Sequence, residues 1–355
     1  MGDDSNGLVP VDKSKLTLSS AKVTAAGIPA VISSAVHSMK KMGVGKTVKT
    51  LRMVNQKEGF DCPGCAWPDP DHRSSFEFCE NGAKAVADEA MKANVNAAFF
   101  ARYSISELST KSDYWLNSQG RIAEPMYASR EDSHYQPISW EAALAKISDK
   151  LKSLQSPDNA AFYTSGRTSN EAAFLYQAFV RMYGTNNLPD CSNMCHESSG
   201  KALISTIGIG KGTVSLNDFN HADTILVIGQ NPGTNHPRML TALRDAKDNG
   251  ATIIHINPLT ETGLIRFKHP QDYMKLNFSS TKLSDVHIPI KIGGDAALFQ
   301  ALNKIIIESN CIDNDFIYSK TKGYDEYCES LINLEWSRVV TDTGIPRATI
   351  EGVAE

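Results

Sequence analysis

The sequence of 355 residues holds seven cysteines, and two groups of them have neighbours that would make them reactive. Cys62-Pro63-Gly64-Cys65 sets two thiols on one tight turn, the way zinc or an iron–sulfur cluster takes half of its ligands, and Cys79 can approach from the next segment. Either kind of centre normally takes four donors, so His72 or a residue from elsewhere would have to complete it. A redox dithiol of the thioredoxin type is disfavoured, because that motif opens a helix after a strand and here Pro68-Asp69-Pro70 follows. The second group, Cys191-Ser192-Asn193-Met194-Cys195-His196-Glu197, admits two readings. Cys195 is either a small packed residue with His196 as its satisfied polar neighbour, or a thiolate that attacks a substrate or ligates a soft metal while His196 moves a proton.

Other segments have the composition of ligand-binding loops. Gly229-Gln230-Asn231-Pro232-Gly233-Thr234-Asn235-His236 follows an apolar run and precedes a helix, so backbone amides and small polar side chains collect where an anion such as a pyrophosphate would be held. Asn257-Pro258 ends the next apolar run and would line the same edge. Gly43-Val44-Gly45-Lys46-Thr47 looks like the end of a nucleotide-binding loop, but Lys40 stands where its first glycine belongs and no apolar strand leads into it.

The elements needed to position these loops are legible in the periodicity. Asp223 to Gly229 reads as a buried strand, Pro237 to Asn249 as a helix and Ala251 to Asn257 as another buried strand, a right-handed βαβ crossover in a parallel sheet. Val286 to Ile292 reads as a further strand, running through Gly293-Gly294-Asp295 into a helix that carries Leu298, Leu302 and Ile305. Earlier, Ser139 caps a helix; Ala160 to Thr164 reads as a strand; Ser165-Gly166-Arg167-Thr168-Ser169-Asn170 is a polar turn; and a helix from Glu171 to Tyr183 stops at Gly184. Residues 1–55, with the basic run Lys40, Lys41, Lys46, Lys49 and Arg52, read as a loop-rich arm. Residues 56–135, with one helix at Ala83 to Ala93, read as a small irregular domain, and 136–355 as an α/β region.

A net charge of -4 gives no general attraction to nucleic acid. Met1 to Gly7 lacks the basic start of a secretory signal, no twin-arginine pair follows, and the apolar stretch Ala25 to Val36 is too short to span a bilayer, so a cytoplasmic protein without a membrane span is expected.

Three ordered phrases, Gly59 to Pro70, Asn187 to Gly200 and Gly229 to Pro237, resemble the molybdopterin oxidoreductases, and among them the alpha subunits similar to formate dehydrogenase H, in the YdeP-like branch. The resemblance runs from about residue 55 to the last residue. It implies an α/β fold of the formate dehydrogenase/DMSO reductase type, with parallel-sheet pterin-dinucleotide-binding domains behind a small irregular N-terminal domain. It also implies a bis-molybdopterin guanine dinucleotide cofactor with molybdenum or tungsten. Cys195 corresponds to the cysteine or selenocysteine that ligates the metal, and His196 to the histidine that takes part in proton transfer. The loops holding Ser165, Arg167, Asn170 and Glu171, then Gly229, Asn231, Asn235 and His236, then Asn257 and Pro258, then Gly293 and Asp295, correspond to pterin-dinucleotide contacts. Lys84 corresponds to the basic residue between cluster and pterin. Family members commonly hold one [4Fe-4S] cluster on four cysteines; here Cys62 and Cys65 match the first pair and Cys79 a third, with the fourth missing. The implied reaction oxidises a formate-like small molecule and passes electrons to an acceptor, a protein or a quinone pathway. Because family members are considerably longer, the fold is expected to be incomplete and the chain alone inactive. The alternatives are a non-catalytic fragment and a zinc-binding α/β module.

Overall fold

The computed structural model describes residues 20–65, 67–189, 191–272 and 279–355, with side chains 191–193 also outside the description. The reading of Met1 to Gly7 therefore falls outside the described residues. The chain divides into two compact units, one holding residues 32–65 and 69–215, the other residues 20–31, 67–68 and 216–355. That division falls inside the expected α/β region rather than near residue 136.

Residues 20–55 are not the loop-rich arm expected. They form helices α1 (Gly27–Met42) and α2 (Val44–Leu51). On α1, Ala30, Ser34, Ser38 and Met42 are buried at a spacing of four, so a stripe of mostly small side chains faces inward, while Ile32 and Val36 stay exposed. A search for bulky apolar residues at helical spacing misses such a stripe. In the first unit, Asp88 accepts from His37 at 3.0 Å and from Asn117 at 3.0 Å, and Lys41 lies 3.3 Å away, so one charge of the basic run is an ion-pair partner. Helix α3 (Glu80–Glu89) starts earlier than Ala83 because the Cys79 sulfur caps it, accepting from the Gly82 N–H.

Helices α4 (Trp140–Lys152) and α5 (Asn170–Tyr183) begin on the Ser139 and Ser169 hydroxyls, and Gly184 ends α5 at φ 107°. Helix α6 (Cys191–Ile207) follows. Of the strand expected at Ala160 to Thr164, the described residues show a bridge position at Thr164 but no ladder, and the Phe162 N–H donates to the Asn187 carbonyl at 2.9 Å. Its ring packs edge-on against Tyr176, Phe179 and Tyr183, so this segment lies against α5.

The second unit contains the parallel sheet. Strands β1 (Ala25–Ala26), β2 (Thr224–Ile228), β3 (Thr252–Ile256), β4 (Arg266–Lys268), β5 (Thr281–Lys282) and β6 (Val286–Ile288) form two three-stranded sheets, in the orders β6-β3-β2 and β1-β4-β5. β2 and β6 both run parallel to β3, with Leu226 and Val286 each opposite Ile254. The βαβ reading holds, and two details differ. β2 is an edge strand with only Val227 buried, whereas β3, at the centre, buries Ile253 to Ile256. After β2 the chain first forms the short helix α7 (Pro232–Asn235), and the crossover helix α8 (Met239–Asp248) starts two residues beyond Pro237.

Helix α9 (Thr262–Ile265) follows β3, and α10 (Asp295–Glu308), α11 (Trp336–Thr343) and α12 (Arg347–Ala354) follow β6. Val227, Leu240, Leu243, Ile253, Leu264, Phe267 and Leu283 form one core; Ile254, Ile256, Ile288, Leu298, Leu302, Val339, Ile345 and Ile350 form another. Strand alternation sends Ile253 to the first and Ile254 and Ile256 to the second, so helices cover both faces of β3. No helix among the described residues is long and apolar enough to cross a membrane.

Candidate functional site

The carboxyl ends of β2, β3 and β6 are the edge at which a parallel sheet binds ligands. Gly229 leaves β2 at φ 59°, a conformation that favours glycine, and a Cβ there would meet nothing within 4 Å. Its N–H is held by the Ile256 carbonyl at 2.9 Å, which keeps the β2 and β3 ends level. Asn231 and Asn257, one after each strand, are joined by Glu261. The Asn231 amide donates to one carboxylate oxygen at 2.7 Å, and the Asn257 amide to the other at 3.3 Å and to the Leu259 carbonyl at 3.0 Å.

Beside this brace the backbones of α7 and α9 touch. A Cβ on Gly263 would stand 2.8 Å from the Gly233 Cα, so neither position has room for a side chain. From β6, His287 reaches the same loop, its Nε2 lying 3.0 Å from the Asn257 carbonyl and its Nδ1 3.2 Å from the Thr260 hydroxyl. A carbonyl can only accept, so Nε2 carries a proton. The cross-strand neighbour His255 is 1% exposed, with its ring centroid 4.9 Å from that of His287 and its Nε2 without a partner. Burial, with His287 alongside, lowers its pKa to about 4, which keeps it neutral.

Of the other expected contacts on this edge, Asn235 and His236 end α7. The His236 Nδ1 is buried without a hydrogen-bond partner. Its ring lies 6.4 Å from Trp67, which also packs edge-on against Phe219. Pro258 is exposed, Gly293 turns at φ 86° into open space, and Asp295 is the acidic residue in the first turn of α10. Gly294, capping α10, lies against the backbone of Asp342 and Thr343, where a Cβ would come within 2.9 Å.

In the first unit, Cys62, Cys65 and Cys79 come together as the spacing suggested. The Cys62 N–H donates to the Asn55 side-chain oxygen at 2.8 Å, and the Asn55 amide donates to the Glu77 carbonyl at 2.7 Å. Asn55 is 4% exposed at φ 56°, a left-handed conformation that asparagine tolerates better than most residues. Gly82 fills the remaining space: a Cβ there would lie 2.8 Å from the Cys62 sulfur and 3.6 Å from that of Cys79. Burial raises the Cys79 pKa, and the nearby Cys62 and Cys65 raise it further. The described donor set does not fit a four-ligand cluster: among the described residues no group of three or more His, Cys, Asp or Glu is placed to hold a metal ion. Lys84 is engaged by Glu80 at 2.6 Å.

Cys195 and His196 lie exposed on α6, so Cys195 is not the packed core residue of the first reading. The Cys191 side chain lies outside the described residues. The loop before α5 is a tight hydroxyl-braced turn, in which Ser165 accepts from Arg167 N–H at 3.3 Å and from Thr168 N–H through its carbonyl at 3.0 Å. Arg167, Asn170 and Glu171 are exposed. The structure thus places the expected residues in separate sets: the β2, β3 and β6 edge in one unit, and the cysteine turn, the Ser165 loop and Cys195 in the other. Sequence reasoning missed Glu261, Asn55 and Gly82; the signal for Glu261 is its position four residues after the paired Asn257, on the same loop.

A model of the molybdopterin oxidoreductases matches residues 121–334. The chain is 51% identical over 354 residues to an uncharacterized oxidoreductase of Mycobacterium bovis, covering 98% of this chain and 45% of that protein. It is 44% identical over 352 residues to the protein YdeP of Escherichia coli, covering 96% of this chain and 46% of the relative. To the F420-dependent formate dehydrogenase 2 subunit alpha of Methanococcus maripaludis it is 29% identical over 257 residues, covering 71% of this chain and 35% of that subunit. The chain therefore spans about half the length of the first relatives it matches. An acetylene hydratase from Pelobacter acetylenicus shares the fold over 66% of this chain and 30% of its own, with a TM-score of 0.53 and 21% identity. With more than half of its length matched by the family model, the chain belongs to the molybdopterin oxidoreductase family.

Proposed function

We propose that this chain provides a dinucleotide-binding edge and the metal-binding thiolate of a molybdopterin-dependent oxidoreductase of the formate dehydrogenase type. The observation that carries the reading is the loop pair after β2 and β3, in which Glu261 holds Asn231 and Asn257 at the ligand-binding edge of a parallel sheet. The open space at Gly229 and the unpartnered His236 Nδ1 in the same loop fit a bound polar group. Loop amides and the helix N-terminal end at Asp295 would hold a dinucleotide, and Ser165, Arg167, Asn170 and Glu171 are proposed as dinucleotide contacts of their own unit. When bound, a molybdenum or tungsten pterin cofactor supplies a two-electron redox centre. Cys195 would be its soft thiolate ligand, and His196 would take the proton from a formate-like small molecule. Cys62, Cys65 and Cys79 would gather around a metal only on rearrangement, and so less firmly than four cysteines do, with Lys84 the basic residue of the same unit. Electrons would leave to an acceptor of unassigned class, in a cytoplasmic protein.

A second reading, cofactor binding without turnover, is favoured by the exposure of Cys195 together with apolar side chains such as Phe174 and Met182 in the same unit. Purification of the 355-residue chain from a host that makes the guanine dinucleotide cofactor tests both. The expected result is guanosine monophosphate released by acid treatment together with molybdenum or tungsten, and no formate-dependent dye reduction. Absence of nucleotide and of both metals, or zinc as the sole stoichiometric metal, would defeat the pterin reading. Formate turnover by the chain alone would defeat binding without turnover.

A further inference from the structure

Glu261 belongs to none of the expected contacts, and its surroundings are unusual for a carboxylate beside a diphosphate site. Among the described residues no lysine or arginine is paired with it; its partners are the neutral amides of Asn231 and Asn257, one on each oxygen. An ionised carboxylate offers about four lone-pair positions and accepts only. One position on each oxygen is filled, so one on each oxygen is left. A phosphate at that point would meet a like charge with no cation to offset it, so the free positions suit neutral donors. Adjacent hydroxyl groups match two acceptors on one carboxylate, and the carboxylate lies on the loop after the second strand of a βαβ unit, where acidic residues of dinucleotide-binding folds take a ribose hydroxyl.

The position is also rigid. Glu261 leads into α9, its carbonyl accepting from Leu264 N–H at 2.9 Å and Ile265 N–H at 3.2 Å, and α9 is pressed against α7 at Gly263 and Gly233. The carboxylate is therefore set in place by both loops. A phosphate held by the amides of the β2 loop would leave the ribose as the part of a nucleotide that reaches it.

We propose that Glu261 is a specificity-determining residue of this edge, accepting hydrogen bonds from the vicinal ribose hydroxyls of the bound nucleotide while bracing Asn231 and Asn257. The inference rests on the nucleotide reading above and deepens it. Calorimetric titration of the purified, cofactor-free chain with guanosine 5′-diphosphate, its 2′-deoxy analogue and inosine 5′-diphosphate tests it, on the wild type and on Glu261→Gln. For the wild type, loss of the 2′-hydroxyl should weaken binding about tenfold, the scale of one hydrogen bond to a charged acceptor. Glu261→Gln should weaken guanosine diphosphate to a similar extent and lose the preference for ribose over deoxyribose, while the ratio of guanosine to inosine diphosphate stays as in the wild type.

Equal wild-type binding of the ribo and deoxy forms overturns the proposal, whatever the folding of the variant. So does a ribose preference that survives in Glu261→Gln. A change in the guanosine-to-inosine ratio without a change in ribose preference would assign the carboxylate to the base instead. Failure of the folded wild type to bind any of the three overturns the nucleotide reading itself and this inference with it, whereas binding that ignores residue 261 overturns only the inference.

Discussion

Residues 140–214 and 216–355 are written in the same local grammar and come out differently. Both have capped helices with apolar residues at helical spacing. In 216–355 those residues are covered: Leu240, Leu243, Leu298, Leu302, Val339 and Ile350 are buried against the strands. In 140–214 most of the described ones are not: Leu144 is 58% exposed, Leu175 67% and Met182 88%, and no residue of α4 is buried, while Val180 of α5 is. Periodicity specifies the helix and the side it would bury, but a helix is buried only where another element covers it.

The largest expected effect that sharpens this contrast comes from cutting one leucine in each region. Leu243→Ala should cost about 3 to 5 kcal/mol, the usual loss for a leucine removed from a packed core, and Leu175→Ala less than about 0.5 kcal/mol. Urea unfolding followed by hydrogen exchange of peptides from each region measures both, and equal losses would break the comparison.

Next comes pH. His255 is neutral when folded, with a pKa near 4 against an ordinary value of 6.5, so the unfolded chain takes up a proton that the folded chain refuses. Stability is then complete above about pH 6.5 and is lost as pH falls from there toward 4. At about 1.4 kcal/mol per unit the loss approaches about 3 kcal/mol. The loss should register in exchange of peptides from 216–355, and His255→Leu should flatten it. An unchanged slope in that variant would assign the effect to other groups.

The smallest effect has opposite signs in the two regions. Gly263→Ala would drive a methyl group into the Gly233 backbone and should cost about 2 kcal/mol. Gly200→Ala, on α6 where a Cβ meets nothing within 4 Å, should stabilise by about 0.5 to 1 kcal/mol because alanine favours the helix. Melting temperatures of the two variants give the signs, and a loss at Gly200 would mean that α6 packs on something the exposed side chains do not show.

Much of the second unit was legible because its signals are local. The apolar runs at 224–228 and 252–256, the helix between them and the polar residues at the strand ends follow from backbone periodicity and turn chemistry, so a parallel sheet with Asn231 and Asn257 on one edge could be read directly. The clustering of Cys62, Cys65 and Cys79 was legible for the same reason: the first two share a turn and the third caps the next helix. Local signals also misled where the deciding interaction was not local. Helix α1 was hidden because its inward stripe is mostly small residues.

What the sequence by itself determined, then, is the type and order of the elements and which side chains have reactive chemistry, since propensity, caps and periodicity act over a few residues. Only the tertiary structure decided that Glu261 joins two asparagines from different loops, that Asn55 holds the Cys62 turn, that Gly263 must lie bare against Gly233, and that Cys195 faces outward. Each of these depends on which segments meet across 7 to 30 residues of chain or on what does not cover a helix, and no local preference encodes either.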